Sequence, residues 1–124
     1  MKVIIAGGRD FDHIHYLDKV MVDLFYVSAF GSEYFEVEEV VSGTARGADT
    51  AGEDWAERHD VPVVKFPADW DTHGKGAGFI RNAAMANYAD VLVAFWDGES
   101  RGTKHMIDTA LKGGLDVHVY RYTT

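Results

Sequence analysis

The stretch VEEVVSGTARGADTAGEDWAERHDVPVVKF, from Val37 to Phe66, reads as a complete strand–loop–helix–strand unit. Val37–Val41 predicts a buried strand that ends at Ser42 and Gly43. Small and apolar residues then recur with the period of an α-helix, at Ala48, Ala51, Gly52, Trp55 and Ala56. Val61–Phe66 predicts the next strand. A helix between two buried strands is the connection that parallel strands need, so this unit predicts an α/β fold.

The same alternation continues on both sides of this unit. Further buried strands are predicted at Lys2–Ala6, Val91–Phe95 and Val117–Tyr122. Further helices are predicted from Ile14 to a stop at Gly31, over Phe79–Tyr88 with Phe79 and Ile80 on its inward side, and over Thr103–Lys112. We therefore expect one domain over residues 1–124, with a five-stranded, mainly parallel sheet in the order 3-2-1-4-5 and helices on both faces.

Composition narrows the classes of function. The 124 residues are 47% hydrophobic and 26% charged, which is typical of a domain that folds without disulfides or a structural metal. A net charge of −8 disfavours nucleic acid and anionic membranes as partners, and the lack of cysteine excludes thiol catalysis and zinc–thiolate sites. No apolar run has the length of a signal peptide or membrane span, so we expect a cytoplasmic protein.

The unusual residues follow the predicted strands. Glycines together with arginines or carboxylates occur in four loops: Gly7–Asp10, Ser42–Gly47, Gly74–Asn82 and Asp97–Thr103. Four of the six arginines, Arg9, Arg46, Arg81 and Arg101, lie in these loops. Because the carboxyl ends of parallel strands share one edge of a sheet, these loops predict a ligand site at that edge.

The residue types in these loops suit a small phosphorylated ligand. Glycines allow close approach of the backbone, helix N-termini favour anions, and arginine binds phosphate through two parallel hydrogen bonds. The predicted ligand-binding residues are Gly7, Gly8, Arg9, Asp10, Phe11, Ser42, Gly43, Thr44, Arg46, Gly47, Asp49, Arg81, Asn82, Trp96, Ser100, Arg101, Gly102 and Thr103. Trp70 and Trp96 are candidates to stack on a base. Neither the dinucleotide fingerprint nor a P-loop is present, and we expect no metal and no resident cofactor.

Four of these elements resemble a known superfamily. Gly7-Gly8-Arg9-Asp10-Phe11, Ser42–Asp49, Arg81-Asn82-x-x-Met85 and Ser100–Thr103 occur in the order found in the SLOG superfamily, in its YspA/YpsA-related branch. The resemblance covers nearly the whole chain and implies a Rossmann-like, three-layer, nucleotide-binding domain. The related LOG phosphoribohydrolases use an Arg-Lys-x-x-Met helix and a catalytic glutamate. Arg81 and Met85 match that helix, whereas Met106 stands at the glutamate position.

Three functional hypotheses follow from these residues. The first is binding of a nucleotide, or of a ligand derived from NAD or ADP-ribose, by a sensor or sequestering protein. The second, implied by the LOG resemblance, is an N-glycosidase that releases a base from a nucleoside 5′-monophosphate, with Arg81, Asp10, Asp97 or Glu99 as catalytic residues. The third, single-stranded DNA binding, is disfavoured by the net charge. The resemblance also implies a homodimer or higher homo-oligomer, for which an apolar patch is available at Phe25, Tyr26, Phe30, Tyr34 and Phe35.

Overall fold

The computed structural model, which describes all of residues 1–124, contains seven strands and five α-helices. The strands are β1 (Lys2–Gly7), β2 (Tyr26–Ala29), β3 (Ser32–Phe35), β4 (Glu39–Ser42), β5 (Val63–Lys65), β6 (Val91–Trp96) and β7 (Asp116–Arg121). The helices are α1 (Ile14–Phe25), α2 (Ala48–Arg58), α3 (Trp70–His73), α4 (Ala77–Tyr88) and α5 (Arg101–Lys112), with a 3-10 turn at Gly74–Gly76. None of these helices has the length and apolarity that a membrane span requires.

Five strands form one parallel sheet in the order β5-β4-β1-β6-β7, which confirms the predicted order. The first strand lies at the centre, where Ile4 pairs with Val41 of β4 and with Leu92 of β6. All five carboxyl ends therefore point to the same edge. From β1 the chain crosses to β4 and then to β5 on one side, and it returns across β1 to β6 and then to β7 on the other side. The loops after β1, β4 and β6 therefore converge at the switch point, where the direction of the crossovers reverses.

Side chains of β1 alternate between two separate cores. Val3 and Ile5 pack in a cluster with residues of α1 and α2, whereas Ile4 and Ala6 pack in a second cluster with residues of α4 and α5. Because successive side chains of a strand point to opposite faces of the sheet, the two clusters lie on opposite faces, and two helices cover each face. The result is the expected three-layer, Rossmann-like α/β architecture. The inward face predicted for α2 is confirmed, because Ala48, Ala51, Gly52, Trp55 and Ala56 are all buried.

The first helix is shorter than predicted. It ends at Phe25 rather than at Gly31, and β2 and β3 form an antiparallel hairpin in its place. Phe30 and Gly31 connect the two strands with φ values of 54° and 81°, the positive pair that a tight two-residue hairpin turn requires. Phe35 anchors the hairpin against Trp55, with ring centroids 5.0 Å apart.

Because of the hairpin, the residues of the predicted aromatic patch differ in their exposure to solvent. Phe25 is buried in the core, whereas Tyr26, Tyr34 and above all Phe30 are exposed. Phe30 projects from the tip with its side chain fully in solvent. Oligomerisation through this patch stays a prediction.

The fourth helix presents a different face from the one predicted. Phe79 and Ile80 are about half exposed, whereas Ala77, Asn82, Met85 and Ala86 are buried. The helix begins two residues earlier than predicted and packs against α5 as well as the sheet, so its inward stripe contains small residues and one asparagine. This rotation places Asn82 against α5 and leaves Phe79 at the edge of the sheet, next to the site described below.

Candidate functional site

A crevice of about 520 Å³ lies at the carboxyl edge of the sheet, a volume suited to a nucleotide-sized ligand. It is lined by the loops after β1 and β6 and by α4 and the start of α5. Twelve residues predicted for the site line it: Gly7, Gly8, Arg9, Asp10, Asp49, Trp70, Arg81, Asn82, Asp97, Ser100, Gly102 and Thr103. A second hollow of about 290 Å³ shares Arg9 and Arg81 with it and is lined by Gly43, Thr44 and Arg46. The two hollows therefore form one site with two lobes.

The remaining predicted residues lie outside both lobes. Phe11 is buried in the core, and Trp96 donates its indole N–H to the Ser100 carbonyl oxygen at 3.1 Å. The Ser42 hydroxyl donates to Glu53 and accepts the Thr44 N–H at 3.0 Å. Gly47 is the N-cap of α2, and the exposed residues Glu99 and Arg101 flank the start of α5. Of these residues, Phe11, Ser42, Gly47 and Trp96 shape the loops rather than face the crevice.

The Arg81 guanidinium is held in place entirely by neutral groups. Its Nη1 donates to the Gly43 carbonyl oxygen, and its Nε donates to Asn82 Oδ1 at 2.9 Å. No carboxylate oxygen lies within 4 Å of it, although the side chain is about half buried. Burial lowers the pKa of Arg81, the nearby Asp49 carboxylate acts to raise it, and Arg9 lowers it further. A partly desolvated cation that forms no ion pair with a carboxylate remains able to bind an anionic ligand directly.

Asn82 and His105 fix the orientation of Arg81. Asn82 Nδ2 donates to Nδ1 of His105 on α5 at 3.1 Å, while its Oδ1 accepts from Arg81. The imidazole stacks on Phe79 with ring centroids 3.9 Å apart, and burial lowers the pKa of His105. A neutral His105 can accept at Nδ1, whereas the imidazolium form cannot. The three side chains thus form a relay from α5 through α4 to the crevice.

Asp49 is the one charged residue among the buried side chains, with 6% of its surface exposed. It lies in the first turn of α2, and its Oδ2 accepts the N–H of Ala45 at 3.1 Å. Burial raises the pKa of Asp49 to about 6, although the Ala45 N–H and Arg81 both act to lower it. A carboxylic acid that titrates near neutral pH inside a crevice is typical of functional sites.

The other two carboxylates that line the crevice hold loops in place. Asp10 accepts the Tyr122 hydroxyl at 2.6 Å, which ties the loop after β1 to the residue that follows β7. Asp97 Oδ1 accepts the backbone N–H groups of Glu99 and Ser100, both at 2.8 Å, and these bonds lower the pKa of Asp97. Both carboxylates therefore already have hydrogen-bond donors from the protein.

Four large apolar side chains also line the crevice, namely Trp70, Phe79, Met85 and Met106. They offer flat or polarisable surfaces to a planar group. Of these four side chains, only Trp70 was predicted as a ligand contact. Phe79 was predicted to face inward, and Met85 and Met106 were singled out only by the LOG resemblance, which assigns neither of them a ligand contact. No cluster of three or more potential metal ligands is present.

Comparison with known proteins identifies relatives by sequence. A family model described as "YAcAr: YspA, cpYpsA-related SLOG family" matches residues 1–73. The chain is also 36% identical over 122 residues to the "Gene 61 protein" of Mycobacterium phage D29, an alignment that covers 94% of this chain and 93% of the phage protein. No solved structure shows significant similarity to the chain.

Proposed function

This chain belongs to the YspA, cpYpsA-related SLOG family, and from that premise we propose that it binds a nucleotide, or a ligand derived from NAD or ADP-ribose. The ligand would occupy the crevice at the carboxyl edge of the sheet. In this proposal the protein acts as a sensor or as a sequestering protein.

One observation carries this proposal. The Arg81 guanidinium is half buried and lacks a carboxylate partner, yet it is fixed by Gly43 and Asn82. A cation that is oriented in advance loses little entropy when a phosphate binds it. Arg9 lines both lobes beside it and adds a second positive charge. The aromatic side chains of Trp70 and Phe79, which also line the crevice, offer a surface for the base of the same ligand.

The test is a ligand-retention assay read by mass spectrometry. The purified protein is mixed with AMP, ADP-ribose, NAD, cyclic ADP-ribose and a dinucleotide panel, and the protein-bound and filtrate fractions are identified after filtration. We expect one of these compounds to be retained intact. Retention of none of them contradicts the proposal.

Arginine variants locate the site. Arg81→Ala should weaken binding by at least ~10-fold, because it removes charge-assisted hydrogen bonds worth about 1.5–3 kcal/mol. Arg58→Ala is the matched control, since Arg58 lies on α2 outside the crevice and forms an exposed ion pair with Asp18. Equal affinity in both variants would place the ligand elsewhere. Thermal melting checks that each variant is folded.

A specific observation also favours a second candidate, a nucleotide N-glycosidase. Asp49 is buried, lines the crevice with Arg81 and has a pKa of about 6, which suits proton transfer. In this reaction water attacks C1′, the bond from C1′ to the base breaks, and the base leaves with its electron pair and gains a proton. Free base and ribose 5-phosphate in the filtrate, lost in Asp49→Asn, would establish this activity.

A further inference from the structure

Asp49 has one carboxylate oxygen that the protein does not use. Its Oδ2 accepts the Ala45 N–H, and no other hydrogen bond or ion pair reaches the side chain. No fully buried side-chain oxygen or nitrogen in the protein lacks a partner, so Asp49 Oδ1 must reach the crevice that this residue lines. An accessible carboxylate oxygen with no donor from the protein is an acceptor that a ligand can use. We therefore expect a ligand in the crevice to offer a hydrogen-bond donor to Asp49.

The Asp49 carboxylate lies beside the predicted anion site. A side chain at Gly43 would meet Arg81 Nη1 at 2.6 Å and Asp49 Oδ2 at 2.9 Å, so these two groups flank the same glycine. A ligand at this point must present an anionic group to Arg81 and a hydrogen-bond donor to Asp49. A fully ionised phosphate has no donor and is repelled by the carboxylate. The donor must therefore belong to an adjoining part of the ligand.

A ribose hydroxyl meets this requirement. In a nucleotide the sugar lies directly next to the phosphate, whereas an exocyclic amino group of the base lies on the far side of the sugar. We propose that Asp49 accepts a hydrogen bond from a ribose hydroxyl of the bound ligand and thereby selects ribonucleotides over deoxyribonucleotides. This inference rests on the proposed nucleotide site and assigns its substrate class.

The test compares ligands that differ by one hydroxyl. Dissociation constants for 5′-AMP, 2′-deoxy-5′-AMP, 3′-deoxy-5′-AMP and 5′-IMP are measured by calorimetry with the full chain. A hydrogen bond from a hydroxyl to a carboxylate contributes roughly 10- to 150-fold in affinity, so at least one deoxy compound should bind at least ~10-fold more weakly than AMP. GMP, CMP and UMP with their deoxy forms replace the adenine series if another base is preferred.

Three variants assign this preference to Asp49. In Asp49→Asn the ratio of the two affinities should fall at least threefold, because a neutral amide forms weaker hydrogen bonds; in Asp49→Ala it should approach one. The absolute affinity for the deoxy compound should hold or rise in Asp49→Asn, since a negative charge beside the phosphate is removed. Asp54→Asn makes the same charge change at an exposed position of α2 and should leave every ratio unchanged.

Each other outcome overturns a separate claim. Equal affinity of the wild-type protein for ribo- and deoxyribonucleotides refutes the role of Asp49 but leaves the nucleotide site intact. The role of Asp49 is also refuted if the ratio of ribo- to deoxyribonucleotide affinity is unchanged in both Asp49 variants. It is refuted as well if the deoxy compounds bind as tightly as AMP and Asp49 is instead needed for a preference for AMP over IMP. Binding of no nucleotide at all refutes the proposed function, and the inference fails with it.

Discussion

Gly43→Ala adds a single methyl group, and we expect it to weaken ligand binding while leaving the free energy of unfolding almost unchanged. The new Cβ would lie 2.6 Å from Arg81 Nη1 and 2.9 Å from Asp49 Oδ2, closer than these atoms can approach. The guanidinium lies at the end of a flexible side chain, so it is the group that moves. Its hydrogen bond to the Gly43 carbonyl oxygen is then broken or bent, and the orientation that we assign to phosphate binding is lost.

The expected magnitudes follow from this geometry. Loss of one charge-assisted hydrogen bond to the ligand is worth about 1.5–3 kcal/mol, which is a ~10- to 150-fold rise in Kd. The free energy of unfolding should change by less than about 1 kcal/mol. Alanine restricts the unfolded chain by about 0.4–1 kcal/mol relative to glycine, and that gain offsets the displacement of the Arg81 guanidinium.

Gly47→Ala is the contrasting variant. Gly47 has φ of 77°, and a Cβ there would lie 2.2 Å from the backbone oxygen of Gly8, which cannot move independently of β1. Backbone strain alone costs about 1–3 kcal/mol, and the collision adds to it. We expect urea denaturation to show a large loss of stability for Gly47→Ala and almost none for Gly43→Ala. Nucleotide titration of Gly43→Ala should then show the loss of affinity.

Two results would refute this reasoning. Wild-type affinity in Gly43→Ala would mean that the position of Arg81 does not control binding. A loss of stability in Gly43→Ala as large as that in Gly47→Ala would mean that Asp49, rather than the guanidinium, is displaced and that the core of α2 is disturbed.

Two further predictions concern titratable groups. The pKa of Asp49 is raised from 3.8 to about 6, so the folded protein binds its proton more tightly and the free energy of unfolding should fall by about 3 kcal/mol as pH rises from 4 to above 6. Urea denaturation between pH 4 and 8 should therefore show that the free energy of unfolding of Asp49→Asn increases relative to that of the wild type as pH rises. A difference in unfolding free energy between the two proteins that does not change with pH would contradict the raised pKa. His105→Phe should keep the stacking on Phe79 but remove the acceptor for Asn82, weakening nucleotide binding about 3- to 10-fold. His105→Gln restores an acceptor and should recover part of this loss, and a Kd that is the same in both variants and the wild type would show that the relay does not position Arg81.

Local sequence signals predicted the central sheet because its strands are continuous apolar runs separated by glycine. The hairpin after α1 escaped prediction because apolar residues keep helical spacing through Leu24 and Phe25 and the chain then continues without a proline. The hairpin instead depends on the pairing of β2 with β3 and on the contact of Phe35 with Trp55, which is distant in sequence. The face of α4 was predicted wrongly for a similar reason, since Asn82 is buried only where His105 supplies a partner.

The candidate site was predictable at the level of loops but not of individual roles. Arg9, Arg81 and Asp49 line the crevice, as glycine-rich loops at a sheet edge imply. The sequence does not show that Asp97 is occupied by two backbone N–H groups or that Tyr122 holds Asp10, because those partners depend on loop conformation and on the end of β7. It also does not show which carboxylate becomes desolvated, and that distinguishes Asp49 from the others.

The central position of β1 has a consequence for synthesis of the chain on the ribosome. This strand emerges first, yet Val3 pairs with Val40 on one side and with Val91 on the other. At 5–20 residues per second the last of these partners appears roughly 5–20 s later. Val40 is made earlier, so one edge of β1 can be covered sooner, but the other edge of this apolar strand has no partner until β6 is made. An unpaired apolar strand edge can pair with another chain, so β1 is the part of the sheet that stays open to such pairing for longest during synthesis.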